Sequence, residues 1–219
     1  MIVLALDTST SACSAALWAE GRVLAHALKV MARGQSEALI PMVAEIMAEA
    51  GLSFSDLGLL AVTVGPGAFT GLRIGLAAAR GLSLASGLPL AGVSTPLAVA
   101  AAIPTEERAG RTLLAAIESR RDEAWVQMFD QDLAPLGAVT AVLPEQVAAL
   151  TIGSLVVVGD ASGRLMPFLP HAVLSTAPGW PDARRVAELA AAQWAAGTAL
   201  PPEPLYLRPA DVTLPPASP

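Results

Sequence analysis

One cysteine, Cys13, stands among 219 residues, so the chain can form no internal disulfide and no cysteine-based zinc site, and a reducing compartment is expected. Histidine is almost as scarce. His26 and His171 fall in unrelated segments, and without a cluster of His and carboxylate ligands no stable catalytic metal site is expected. Charged residues make up only 15% of the chain, with 13 basic against 19 acidic side chains and a net charge of −6. That is the wrong sign for gripping nucleic acid unaided, so any nucleic-acid role calls for a more basic partner. The pairs Arg120-Arg121 and Arg184-Arg185 read as solvated surface. No cationic segment precedes an apolar one at the start, and Asp7 interrupts the first apolar run, which argues against a signal peptide. One uncharged stretch, Gly81 to Ile103, is long enough for a membrane span, but Pro89 and Pro96 cut it into a helix end, a strand and a second helix. No membrane association is expected, and the cytoplasm is the expected location.

What is present is apolar. A 54% hydrophobic composition excludes disorder and supports a sizeable core. Residues 1–104 are nearly neutral, which suits a surface that packs against protein. Met1 to Asp7 reads as a strand ending in the turn formers Asp7-Thr8-Ser9-Thr10. Strand-like runs at Cys13 to Ala19 and Arg22 to Met31 complete an expected antiparallel meander. From Ser36 to about Ala50, Leu39, Ile40, Val43, Ile46 and Met47 recur at helical spacing, with Ser36 as N-cap, Glu37 in the first turn and Pro41 as a kink or a late start. A strand ending at Val64, a glycine turn, a helix to about Ser86, a strand at Leu90 to Val93 and a helix after Thr95 follow. The second half repeats the pattern: strands at Leu113 to Ile117, Asp122 to Phe129 and near Val139, a short helix from Glu145, a strand at Leu155 to Val158, and a helix from Ala183 to Ala196. This resembles a duplicated α/β unit with a boundary near 104–111, giving subdomains 1–104 and 105–219. The proline-rich tail after Thr198 is expected along the surface, ordered where Leu205-Tyr206-Leu207 can pack.

The glycine turn, GPGAFTGLRIG at residues 65 to 75, lies between strand and helix, where phosphates are often held. The dinucleotide fingerprint fails because the glycines are spaced G-x-G-x-x-x-G, and the P-loop fails because Leu72-Arg73 replaces its lysine. Gly67, Gly71, Gly75, Ala79 and Ser83 instead recur every four residues and line one helix stripe. Either the chain's own groove or a partner helix fills that stripe.

GPGAFTGLRIG closely resembles the GPGSFTGLRIG hallmark of the TsaB (YeaZ) family, with Ala68 in place of serine. LALDTST at the start, Gln35-Ser36-Glu37 where the family has His-Ser-Glu, Gly92-Val93-Ser94-Thr95, and Pro204-Leu205-Tyr206-Leu207-Arg208 extend the likeness over nearly the whole chain. The resemblance implies the ASKHA (actin/hexokinase/Hsp70-like) α/β fold, two duplicated subdomains with mixed sheets. It implies a non-catalytic activator of TsaD, working with TsaE in forming N6-threonylcarbamoyladenosine next to the anticodon of tRNAs decoding ANN codons. In the family the two helices pack against TsaD, so the implied interface is Ser36, Glu37, Leu39, Ile40, Val43, Ile46 and Met47 with Gly67, Phe69, Thr70, Gly71, Arg73, Ile74 and Gly75. A homodimer through overlapping helices is expected, with tRNA contacted only through the complex.

No cofactor is expected in this chain, and ATP or ADP and metal belong to the partner subunits. ASKHA enzymes hold phosphate on glycine-containing turns, whereas this chain has Asp7-Thr8-Ser9-Thr10 and Glu118-Ser119-Arg120-Arg121. Asp7, Thr8, Ser9 and Glu118 are the remaining nucleotide candidates. They support one alternative, an independent ASKHA-type ATPase or phosphotransferase. No G-x-S-x-G elbow occurs, Cys13 has no evident base, and a metallopeptidase assignment finds no zinc ligands.

Overall fold

A computed structural model describes residues 1–150 and 153–207. The expected meander is present as β1 (Ile2–Asp7), β2 (Ala12–Ala19) and β3 (Arg22–Val30), antiparallel, with β1 and β2 in register from Ile2↔Ala19 to Asp7↔Ser14. β4 (Leu59–Gly65) pairs parallel to β1, and β5 (Leu90–Ser94) pairs parallel to β4. The sheet order is therefore β3-β2-β1-β4-β5. A second sheet repeats it as β8-β7-β6-β9-β10, from β6 (Thr112–Glu118), β7 (Ala124–Phe129), β8 (Thr140–Val142), β9 (Leu155–Val158) and β10 (Val173–Leu174). Two α/β subdomains with mixed sheets of one order are the duplicated architecture expected from the sequence. β10 was not foreseen, because two exposed residues carry no periodicity.

The strands alternate, so each sheet has two buried faces. Leu4 and Leu6 of β1 face α1 (Gln35–Ala50) and α2 (Phe69–Ser86), while Val3 and Ala5 face α6 (Ala183–Ala195). The second sheet takes the opposite exchange: Leu113, Ala115 and Ile117 pack on α3 (Thr95–Ala100) and its continuation to Ile103. Each half thus lends a helix to the other half's sheet. The remaining face of the second sheet is covered by short pieces, a 3-10 stretch at Pro144–Leu150 where a helix from Glu145 was expected, and α5 (Ser162–Leu165). A single turn, α4 (Thr105–Arg108), joins the halves.

Two local expectations are corrected. Gly34, not Ser36, caps α1, because the entry residue has φ 93°, a left-handed conformation that favours glycine. Ser36 lies within the first turn. The helix also runs unbroken through Pro41; its missing N–H and Glu37 both lie on the exposed side, where water can satisfy the freed carbonyl. The tail packs as expected: Gly92 N–H donates to Leu200 O at 2.8 Å, Leu205 N–H donates to Val64 O at 2.7 Å, and Arg80 donates to Pro202 O. Arg208 of the tail motif lies outside the described residues. Among those described, no helix is long and apolar enough to cross a membrane.

Because α6 belongs in sequence to the second half yet buries the first sheet, Ala187→Leu should overpack the first core. The expected loss is about 1 to 3 kcal/mol of unfolding free energy, read by chemical denaturation.

Candidate functional site

The glycine stripe of α2 is filled from inside the chain. The turn after β1 runs beneath the helix, and a Cβ on Gly67 or Gly71 would collide with the carbonyl oxygens of Ser9 or Thr8. One on Gly75 would lie 2.7 Å from Thr8 Oγ1. Two hydrogen bonds fasten the contact: Ala68 N–H donates to Ser9 O at 2.7 Å, and Thr8 Oγ1 donates to Gly71 O at 2.7 Å. Gly67, Gly71 and Gly75 are therefore corrected from partner-facing to intrachain positions. Glycine is required there by the close approach of two backbones.

The same turn answers the nucleotide candidates. Asp7 is fully buried, and its Oδ1 accepts from Ser9 N–H at 3.1 Å, Ser9 Oγ at 2.6 Å and Thr63 Oγ1 at 2.6 Å, while Oδ2 has no partner. Burial pushes the carboxyl up to about 6, against the lowering by those donors. Thr8, Ser9 and Asp7 Oδ1 are thus engaged within the fold and offer phosphate no open donors. Glu118, across the molecule, accepts from Arg120 N–H and from Arg164 Nη1, each at 2.7 Å, and its own N–H donates to Asp160 Oδ1 at 2.8 Å. These residues do not fit a nucleotide phosphate. Cys13 is buried in β2, and burial first, then Asp7, pushes its thiol up to about 11, so it is no nucleophile at neutral pH.

His26 serves the fold. Its Nε2 lies 3.2 Å from Asp182 Oδ1, and Asp182 caps α6 by accepting from Arg184 N–H at 2.9 Å. Burial disfavours ionisation of Asp182, but the nearby His26 ring and the hydrogen bonds from Arg184 outweigh it and hold the carboxyl well below its ordinary range. His171 is exposed in a distant turn. Among the described residues no three His, Cys, Asp or Glu side chains are grouped to hold a metal.

The helix face expected to meet a partner is also redrawn. Leu39, Val43, Ile46 and Met47 are buried against the chain's own first sheet, because the most apolar face of an amphipathic helix is the one its own core takes. Ser36, Glu37, Thr70 and Arg73 are exposed, and Ile74 is half-buried. Ile40 at 48%, Phe69 at 54% and Leu84 at 87% exposure, with Pro41, Ala44 and Ala77, form the outward surface of α1 and α2. Sequence spacing missed Leu84, since it lies off the stripe it would have had to extend.

Two cavities open beside Phe69. One, about 340 Å³, lies between the α2 N-terminus, the β6–β7 turn and the tail; Arg73 stacks over the Phe69 ring at 3.7 Å and donates to Tyr206 OH at 3.2 Å. The other, about 440 Å³, lies between the N-termini of α1 and α2 and is lined also by Thr10, Arg33 and Arg120. Neither arginine nor Thr10 was singled out as a binding residue, because the turn, the helix entry and the second sheet meet only in three dimensions.

Comparison with known proteins decides the family. Residues 28–150, more than half of the chain, match the family model described as TsaD: tRNA N6-adenosine threonylcarbamoyltransferase. YeaZ from Pseudomonas aeruginosa superposes with a TM-score of 0.81 at 31% identity, covering 94% of this chain and 99% of that one. The chain belongs to this family, as one of its TsaB (YeaZ) members. A second P. aeruginosa structure, of a protein described as similar to peptidase YEAZ, gives a TM-score of 0.83 at 33% identity over 94% and 99% of the two chains. The tRNA threonylcarbamoyladenosine biosynthesis protein TsaB of Escherichia coli is 42% identical over 60% of this chain and 56% of its own length. TsaB of Haemophilus influenzae is 38% identical over 57% and 52%. The match thus spans about half the length of these curated relatives.

Two outcomes follow from this geometry. Gly71→Ala forces its new methyl into the Thr8 carbonyl and should lower the unfolding free energy by roughly 1 to 3 kcal/mol in a urea titration. Asp7 holds its proton more tightly folded than unfolded, so the native state loses stability as pH rises from about 4 through about 6, by on the order of 2 to 3 kcal/mol. Asp7→Asn keeps an accepting oxygen without the charge. The stability gap between Asp7→Asn and the natural protein should therefore widen in the variant's favour between pH 4 and 6, measured by thermal melts.

Proposed function

We propose that this chain is a non-catalytic subunit that binds and activates a TsaD-type transferase in the synthesis of N6-threonylcarbamoyladenosine, next to the anticodon of tRNAs decoding ANN codons. Family membership supports the pathway. The observation that carries the subunit role is the outward surface of α1 and α2, where Ile40, Phe69 and Leu84 stand exposed with the small residues Ala44 and Ala77, among the exposed charges of Glu37, Glu45, Arg73 and Arg80. Such a surface loses apolar area from water when a helix pair docks on it. The chain's own acidity supports a reading in which tRNA is held only by the assembled complex. In the same reading, which rests on the family resemblance, ATP or ADP and metal are held by the partner subunits and TsaE joins the assembly in the cytoplasm. Without its partner, the same face associates with a second copy, giving a homodimer. The alternative, an independent ATPase centred on Asp7 and Glu118, is disfavoured by the internal hydrogen bonds that engage Thr8, Ser9 and Glu118.

The test is reconstituted tRNA modification with the partner enzymes, with and without this chain, alongside calorimetry of the chain with the TsaD-type partner. Ile40→Asp and Phe69→Asp should each weaken partner affinity by at least about tenfold, as expected for an apolar anchor, and lower modification in parallel. Modification that proceeds equally well without the chain would sink the proposal.

A further inference from the structure

We infer that Tyr206 and Arg73 are positioning residues that hold the Phe69 ring outward for the partner, so that the strap from Leu200 to Leu207 sets the docking face of α2. The inference rests on the proposed subunit role and deepens it: it names the residues that act on that role through the apolar anchor.

The strap is built into the first half. A Cβ on Gly92 would lie 2.6 Å from Pro201 O and 2.6 Å from Val64 Cγ1, so β5 is bare where the strap crosses it. The strap accepts from Gly92 N–H through Leu200 O, accepts from Arg80 Nη2 of α2 through Pro202 O at 2.6 Å, and donates from Leu205 N–H to Val64 O. Anchors at Leu200, Pro202 and Leu205 fix where Tyr206 emerges.

It emerges at the first turn of α2. Phe69 and Arg73 stand one helical turn apart, which places the Arg73 guanidinium over the Phe69 ring at 3.7 Å. Arg73 Nε donates to Tyr206 OH at 3.2 Å, and the tyrosine ring lies 6.0 Å from the Phe69 ring at an interplanar angle of 35°. Arg73 pairs with no described carboxylate, so the two aromatic residues are what engage its head group. An exposed phenylalanine is thereby bordered by a cation from its own helix and by a ring from the strap.

The ring has an alternative place. Beside it opens the cavity of about 340 Å³ that Leu72, Trp125, Leu205 and Leu207 help to line. Apolar space of this kind draws an exposed ring out of water, and a ring turned into it leaves the partner face. Arg73 and Tyr206 oppose that turn. The rotamer freedom of Phe69 is then lost before the partner arrives rather than on docking, a difference of about three- to tenfold in affinity for one ordered side chain.

Tyr206 is the chain's one tyrosine, so 3-fluorotyrosine labelling gives a single fluorine resonance. In the chain alone, Arg73→Ala and Phe69→Leu should each move it; a resonance unmoved in both overturns the inference and leaves the subunit role standing. In calorimetry with the TsaD-type partner, Tyr206→Ala should weaken affinity by about three- to tenfold, with the urea unfolding midpoint unmoved. The same substitution should cost nothing further in a Phe69→Ala background, because the tyrosine acts through that ring. Equal losses in the two backgrounds overturn the inference in favour of direct contact between Tyr206 and the partner. Weakened binding in Phe69→Asp with none in Tyr206→Ala overturns it while the subunit role stands, and full affinity in both variants overturns the two together.

Discussion

The contact between the turn after β1 and the first two turns of α2 sets the rest of this structure. Backbone lies on backbone there, with the Thr8 and Ser9 carbonyls against glycines 71 and 67, at a separation that any side chain would prevent. The Ala68 and Thr8 hydrogen bonds fix the helix along its axis as well as in depth. A helix held so close to its sheet buries Leu72, Leu76 and Ala79 and turns Arg73, Ala77 and Leu84 outward. The identity of the outward face is thus a consequence of how the inner face is seated.

The same seating makes Asp7 a structural residue. A carboxylate at the end of the first strand, closed over by a helix, keeps its solvation only through Ser9 and Thr63, and burial raises its proton affinity in consequence. In a glycine-containing turn the backbone amides would remain available to a ligand; here the hydroxyls fold back to satisfy the chain. Thr10, one residue further, escapes this closure because it lies where the helix ends rather than beneath its shaft. The exchange of α3 and α6 between the two sheets then ties the halves together, so the space that Thr10 borders is walled by both.

Most of the fold was legible. The alternation of β1 and β2, the helical spacing from Leu39 to Met47, and the end of α2 at Ser86 each appear within a residue or two of their expected bounds. Short elements were not, because β10 and α5 have too few residues to show a period, and their formation depends on neighbours already in place. The candidate site was less legible. Periodicity marks a helix's apolar stripe, but it does not say whether the chain's own sheet or another protein covers it. For α1 and α2 the sheet does, which leaves the weaker, discontinuous set of Ile40, Phe69 and Leu84 for anything outside.

By itself the sequence determined the duplicated strand and helix order, the need for small residues at 67, 71 and 75, and the family. These depend on local period, residue size and residue type, which are written along the chain. Only the tertiary structure decided what fills the glycine stripe, which helix covers which sheet, and that Thr10, Arg33 and Arg120 border one cavity with two helix ends. Those are contacts between segments many residues apart. Their partners are chosen by the packing of whole elements, which no single stretch of sequence encodes.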